Sequence, residues 1–334
     1  MLRLLTTVLA GLLALIAMLP ARAADPCPLL RAQVAAPDVA TRVAAYACKE
    51  NQNWYSPFID ADGRGAGPSV YEAENAPLAD GTEAWRKVAL YWLEGGLAGA
   101  AGACADARSL QYPSSACRTF VIDTPWSGAF VSWVMRRAGV PGFRVSAGHI
   151  DYVRRAYREP SQSPYLVQAP LSGKPAPGDL LCSVRSAWRS YGYDDLAAIL
   201  SAPDNDGLAM HCDIVVGAMR GGSAYLVGGN VQQTVILRQL KLDANGYFSG
   251  LPLRRAYDPE CSPDLPAYCN ANRQNWAVML KLKPAAELAR LAPPPAPVPS
   301  QPQAPERCAT TASGIRICST SPPAPPAAPA DATP

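Results

Sequence analysis

Apolar residues recur at helical spacing in several places along the first half of the chain. In Thr124–Gly139, TPWSGAFVSWVMRRAG, residues Trp126, Ala129, Phe130, Trp133 and Val134 fall at i, i+3, i+4, i+7 and i+8. That spacing predicts a helix with one face in a core. Thr124 can cap it, Pro125 suits its first position, and Gly139 can end it in a left-handed turn. A second stripe, Trp85, Val88, Ala89, Trp92 and Leu93, predicts a helix over 82–97 capped by Thr82. Val34, Val39, Val43 and Tyr46, set among alanines, predict a helix from residue 24 to about 50. Ser146 can cap a shorter one carrying His149, Ile150, Val153 and Tyr157, with Arg154, Arg155 and Arg158 as its solvated face.

The pattern then changes to strands. Pro175–Cys182, PAPGDLLC, reads as a proline turn opening into a strand, and a long excursion covers 185–210. His211–Met219, Ala224–Gly229, Thr234–Leu242 and Trp276–Leu282 are further strands, with a turn at Gly221-Gly222. Helices followed by an antiparallel meander predict an α+β fold, helices packed on a sheet. Asp60, Asp62 and Gly63 resemble the start of a calcium loop, but its twelfth position is Tyr71 rather than a glutamate. A solvated turn is the reading there, and likewise at Asp204–Gly207. From Pro284 onward the prolines at 293, 294, 295, 297 and 299 predict a disordered, extended tail.

Residues 1–23 read as a secretory leader: Arg3, an apolar centre over Val8–Leu19, and the small-residue pattern Ala21-Arg22-Ala23. The expected organisation is a leader at 1–23, a helical region at 24–118 joined to a core at 119–283, and a proline-rich tail at 284–334. Removing the leader takes 30 basic and 27 acidic residues to 28 and 27. A near-neutral chain without a basic stripe argues against nucleic acid as a partner, and no membrane span is expected after cleavage. Ten cysteines in the mature part fit an oxidising compartment, periplasmic or extracellular. Proximity pairs Cys27 with Cys48, Cys104 with Cys117, Cys261 with Cys269 and Cys308 with Cys318, which leaves Cys182 for Cys212. No CxxC and only two histidines leave a metal site without support, and no cofactor is expected.

Ser127 falls near the start of the central helix, where free N–H groups and the dipole favour negative charge. His211 lies on a following strand and Asn230 on the next. Nucleophile, base and orienting group in that order form a papain-type arrangement. Strand alternation turns Cys212 away from the face of His211 and places Asp213 on it. Trp126, His149 and Asp213 are candidate substrate contacts; the bland readings are a structural histidine and a surface charge.

PWSGAFVSWVMRRAGV is similar to the PWCAAFVSWVL-like segment of CHAP and NlpC-type cell-wall amidases and peptidases. PAPGDLL resembles their first strand, HCDIVV their histidine strand, and LVGGNVQQTV the strand after it. The wider pattern, from the helix at Trp85–Trp92 through PWS, GDLLC and HCDIVV, resembles the bacterial domain-of-unknown-function family 2272 over about residues 40 to 283. The resemblance implies a papain-like fold with Ser127, His211 and Asn230 as catalytic residues and peptidoglycan or an envelope protein as partner. Two departures stand out. Ser127 replaces the cysteine nucleophile, and Gly228 stands where the CHAP enzymes carry a glutamate, 17 residues after the histidine. The expectation is therefore a peptidoglycan amide-bond hydrolase acting through serine, or an inactive relative that binds the same peptide or a protein partner.

Overall fold

The alternating apolar pattern of the second half becomes an eight-stranded sheet. The computed structural model describes residues 25–99, 101–108, 115–202, 207–219, 222–291, 307–310 and 316–319. The expected leader, the loop residues 204–206, Gly221 and the prolines from Pro293 to Pro299 lie outside these residues. The chain divides into two units, Met1–Ala292 and Pro293–Pro334.

In the first unit the strands are β1 (Phe58–Ile59), β2 (Gly65–Ala66), β3 (Tyr165–Gln168), β4 (Leu180–Val184), β5 (Met210–Ala218), β6 (Ser223–Val231), β7 (Thr234–Lys241) and β8 (Asn275–Leu282). Their order across the sheet is β2-β1-β7-β6-β5-β4-β8-β3. β4 to β7 form the predicted antiparallel meander, and β8 returns to pair with β4. The β1–β7 pair is parallel and all other pairs of the sheet are antiparallel. The PAPGD turn enters β4 through Gly178 at φ +89°. Asp179 then closes it: its buried carboxylate accepts the Ala176 and Leu282 N–H groups and pairs with Lys281.

The helices are α1 (Cys27–Leu30), α2 (Val39–Asn53), α3 (Ala84–Glu94), α4 (Ser115–Asp123), α5 (Ser127–Arg137), α6 (His149–Arg158), α7 (Tyr193–Ser201) and α8 (Ala285–Leu291). The single helix read over 24 to 50 is two. Asp38 starts the second by accepting the Thr41 N–H at 2.8 Å, and Pro37 stands just ahead of it. Thr82 and Thr124 do not cap: α3 starts after Glu83, and α5 starts after Trp126. α7 lies inside the excursion read over 185–210, and α8 occupies residues read as the beginning of the tail. Asp60 accepts the N–H groups of Asp62 and Arg64, the predicted turn. Among the described residues no helix is long and apolar enough to cross a membrane.

Three of the disulfides expected from proximity, Cys27–Cys48, Cys104–Cys117 and Cys261–Cys269, are formed, and so is the remaining pair Cys182–Cys212. Cys182 and Cys212 are direct cross-strand partners on β4 and β5. In the second unit, β9 (Arg307–Thr310) and β10 (Arg316–Ser319) pair antiparallel, with Cys308 opposite Cys318.

Alternation splits the sheet's side chains between two cores. Cys212, Ile214 and Val216 join the large core that includes α2, α3 and α5, whereas Val215, Leu226 and Leu240 pack in a smaller core with Phe248 and Trp276. α5 lies unusually close to β6. A Cβ on Gly229 would sit 2.4 Å from Phe130 Cγ, and one on Gly228 would sit 1.9 Å from Asp213 Oδ1. Both glycines are therefore required by what occupies the space of their missing side chains. Gly229→Ala should destabilise the protein by about 1–3 kcal/mol through overpacking. Adding Phe130→Leu should recover part of the loss in urea unfolding. An unchanged midpoint for the single variant would mean that Phe130 is not held over this glycine.

Candidate functional site

Trp126 anchors the start of α5. Its fully buried indole stacks on Trp54 and Tyr91 at ring-centroid distances of 5.9 and 5.5 Å, and its Nε1–H donates to Glu72 Oε2 at 2.6 Å. Asn230, its amide oriented to suit these neighbours, donates to Glu72 Oε2 at 3.2 Å and accepts the Trp126 backbone N–H at 3.1 Å. Asn230 has φ 55°, a left-handed conformation that asparagine tolerates better than most residues, at the point where the β6–β7 register shifts. Burial raises the Glu72 carboxyl above its ordinary value, against the opposing pull of the Trp126 hydrogen bond.

Ser127 is the first residue of α5, and His149 is the first of α6. Two contacts bring these helix starts together. Gly128 lies against the Ala147 carbonyl, where a Cβ would approach to 2.1 Å. Ser132 Oγ donates to the Ser146 carbonyl at 2.8 Å and accepts the Ser146 N–H at 3.0 Å. Ser146 in turn accepts the Gly148 N–H, so it stabilises the turn before α6 rather than capping the helix itself. The result is a Ser127 Oγ to His149 Nε2 distance of 2.7 Å. His149 Nδ1 meets the Tyr152 hydroxyl one turn along α6. With the serine as donor, Nε2 is the bare nitrogen and Nδ1–H donates to Tyr152.

His211 is held elsewhere. It alternates with Cys212 and Ile214 and so shares the sheet face of Val215, opposite the large core. Arg185 Nη2 donates to its Nδ1 at 3.1 Å, which leaves Nε2–H to donate to Asp213 Oδ1 at 2.8 Å. Asp213 Oδ2 accepts Arg238 Nε at 3.0 Å, and Arg238 Nη1 donates to the Ala271 carbonyl and to Asn272 Oδ1. Asp213 is fully buried over Gly228, so the space beside the glycine is filled by a carboxylate from the adjacent strand. The two imidazoles stand edge to face, 5.5 Å between centroids.

Electrostatics follow from this layout. Burial pushes the His149 imidazole well below its ordinary value, and His211 and Arg185 push the same way. Burial also lowers His211, against the pull of Asp213. Asp213 stays ionised despite burial, held well below the usual carboxylate range by His211 and Arg238. The site thus presents a neutral imidazole accepting from a serine hydroxyl at a helix start, backed by a buried His–Asp–Arg chain. Among the described residues no group of three or more His, Cys, Asp or Glu side chains could hold a metal ion.

The structure brings Ser127 and His149 into contact, and His211 with Asp213. It does not place His211 on Ser127, because both ring nitrogens of His211 are engaged by other groups. Asn230 orients Trp126 rather than an imidazole, and Trp126 is a buried anchor rather than an open contact surface. Sequence reasoning did not reach Tyr152, Glu72, Arg185 or Arg238. Arg238 carried a usable signal: a charge inside the apolar strand TVILRQLK, on a position that must be buried.

The model of a family described as an uncharacterized protein conserved in bacteria, DUF2272, matches residues 79–282. No curated protein and no solved structure matches the chain.

The two histidines make stability depend on pH with a definite sign. Both are lowered by folding, so the unfolded chain binds more protons below an ordinary imidazole value of about 6.5. Their contribution is complete above that pH and is lost as pH falls through the folded-state values. Each can cost up to about 1.4 kcal/mol per pH unit across that window. Glu72 and Asp179, raised by burial, act in the opposite sense. Comparison of wild type with His149→Gln isolates the histidine: urea unfolding between pH 7.5 and 5 should show a shallower loss in the variant. With two histidines in the chain, imidazole NMR gives the direct check, and a His149 that titrates near 6.5 would remove the effect.

Proposed function

The chain belongs to the bacterial DUF2272 family, its match running from residue 79 to 282, and on that premise we propose that it is an exported, papain-like-fold hydrolase of cell-wall peptide amide bonds, with Ser127 as nucleophile and His149 as base. The observation that carries this reading is the 2.7 Å hydrogen bond from Ser127 Oγ to a neutral, buried His149 at the start of α5. The serine gives its proton to Nε2 as Oγ attacks the carbonyl, with Nδ1–H steadying the ring against Tyr152. Nε2–H then protonates the amine as the C–N bond breaks, and water, giving a proton to the same nitrogen, hydrolyses the acyl-serine. The tetrahedral oxyanion would form beside the first N–H groups of α5, which have no partners within the helix. The four disulfides support an oxidising compartment.

Turnover in this scheme is slow. His149 has a tyrosine where fast serine hydrolases carry a carboxylate, and exchanging that Asp for Asn costs about 10⁴ in turnover. A lowered imidazole is also a weaker base. The burial of Ser127 and His149, 4% and 3% exposed, favours a second reading in which the site binds cell-wall peptide without cleaving it.

A fluorophosphonate probe separates the two. Under the hydrolase reading it labels Ser127, labelling disappears in Ser127→Ala, and His149→Ala slows it at least about tenfold, with slow release of muropeptides from purified peptidoglycan. No labelling and no release, with retained binding to peptidoglycan, selects the second reading; no binding either rejects the cell-wall assignment. Ser127→Cys gives an independent view. Its thiol should fall below the ordinary value of about 8.5, alkylate at neutral pH, and respond to His149→Ala more than to His211→Ala. Equal responses would return the role of base to His211.

A further inference from the structure

α6 carries a second feature, beside the tyrosine that contacts His149. Arg144, Val145, Ser146, Asp151, Tyr152, Arg154, Arg155, Arg158 and Glu159 line a cavity of about 360 Å³. Four of these residues are arginines and two are acids, a formal excess of two positive charges. The arginines read from sequence as a solvated face are not equivalent. Arg158 is exposed and donates to the carbonyls of Leu200 and Ala202. Arg155 is half-buried and donates to the Gly142 and Gln162 carbonyls, with Glu159 at 3.6 Å. Burial and the neighbouring Arg144 push its guanidinium below the ordinary value.

Arg154 is different. It is only 8% exposed, and among the described residues its one ionic contact is Asp151 at 3.5 Å. Its Nε and Nη2 are buried without a hydrogen-bond partner among the described residues, as is Arg155 Nε, but Arg155 keeps two carbonyl acceptors on its other nitrogens. Asp151 is itself shared, because it accepts the Ser146 hydroxyl at 2.5 Å. Buried, unpaired donors on a permanent charge are strongly disfavoured, and a planar guanidinium fork is shaped for an oxyanion.

We propose that this cavity is a binding site for an oxyanion, seated on Arg154 with Arg144 and Arg155 around it, and that the carboxylate of a cell-wall stem peptide supplies it. The oxyanion site stands on the arginines alone; the peptide as carrier rests on the proposed function. Tyr152 connects the two sites. It lines the cavity, and its hydroxyl contacts His149, which holds Ser127. A peptide anchored here by a carboxylate would be separated from the serine by the Tyr152 and His149 side chains.

The test is titration of the ¹⁵N-labelled full chain with acetate, inorganic phosphate, a stem tetrapeptide and its carboxyl-amidated counterpart, read at the arginine Nε–H signals. Acetate and phosphate should shift the Arg154 signal saturably, and the tetrapeptide should compete with them. The amidated peptide should bind at least about tenfold more weakly, and Arg154→Gln should weaken every anion by about tenfold or more. Arg154→Lys, which keeps the charge but not the fork, should fall between them; it also guards against a folding defect, checked for both variants by thermal melts. If neither anion shifts Arg154, or Arg154→Gln binds like wild type, the oxyanion site is wrong. If the anions bind through Arg154 but the tetrapeptide does not compete, the site stands and its cell-wall carrier fails. Phosphate that binds tenfold tighter than the tetrapeptide also rejects the peptide carboxylate. None of these readings passes through Ser127, so an unreactive serine leaves this test intact.

Discussion

The close seating of α5 on β6 sets the rest of the arrangement. Two neighbouring residues make it possible: Gly229 leaves room for the Phe130 ring, and Asn230 takes a left-handed conformation that brings its amide to the Trp126 N–H and to Glu72, while Gly228 leaves room on the other face for the Asp213 carboxylate. With the helix held on one side by the strand, Gly128 and Ser132 hold it on the other, against the segment Ser146–Ala147 that leads into α6. Ser127 and His149 meet because both helix starts are fixed by backbone approach, which side-chain motion cannot relax.

The polar groups in this region are buried, and most of them are paired in chains. Glu72 serves Trp126 and Asn230, and Asp213 serves His211 and Arg238. Tyr91 continues the theme beneath Trp126: it accepts from Trp54 Nε1 at 2.9 Å and donates to Glu50 at 2.6 Å, and Glu50 is paired with Lys87. Such chains add modest net stability but are costly to break, since a lost partner leaves a desolvated group behind. They therefore act mainly on geometry, holding rings and helix starts in one arrangement. Arg154 departs from this pattern with two unpartnered nitrogens on a permanent charge.

Much of the architecture was legible because it rests on periodicity. The stripes in α3 and α5, the meander from β4 to β7 and the face of Cys212 all follow from spacing of 3.6 or 2. The short strands β1 and β2 and the helix α7 were not legible, because two residues or an interrupted nine-residue stretch hold too little pattern. The site was legible only in part. Alternation correctly put His211 and Asp213 on one face, yet it could not say which face met α5. That depends on sheet curvature and on where α6 lands. His149, read as a structural histidine or a substrate contact, came to Ser127 through a helix-to-helix approach that no strand pattern encodes. Asp213, read as a surface charge, is fully buried because Gly228 makes space for it on the neighbouring strand; only pairing the two strands in register reveals the match.

The surroundings of the serine impose opposite demands on its proposed chemistry. Burial keeps both imidazoles neutral, helped by Arg185 at both and by Arg238 at His211. Cationic groups and a helix start stabilise an oxyanion as it forms. The same positive field makes the imidazolium that must accompany it more costly, so gain on the oxygen is offset by loss at the base. Asp213 relieves that cost through space for His149 and through a direct bond for His211, which places the better-supported imidazole one ring away from the serine. A cysteine in this position would need less from the base, because a thiolate can exist before the reaction begins. A serine has no such reserve. On the proposed reading the oxyanion is therefore better supported than the proton transfer, and the balance between the two decides how much cleavage the serine can perform.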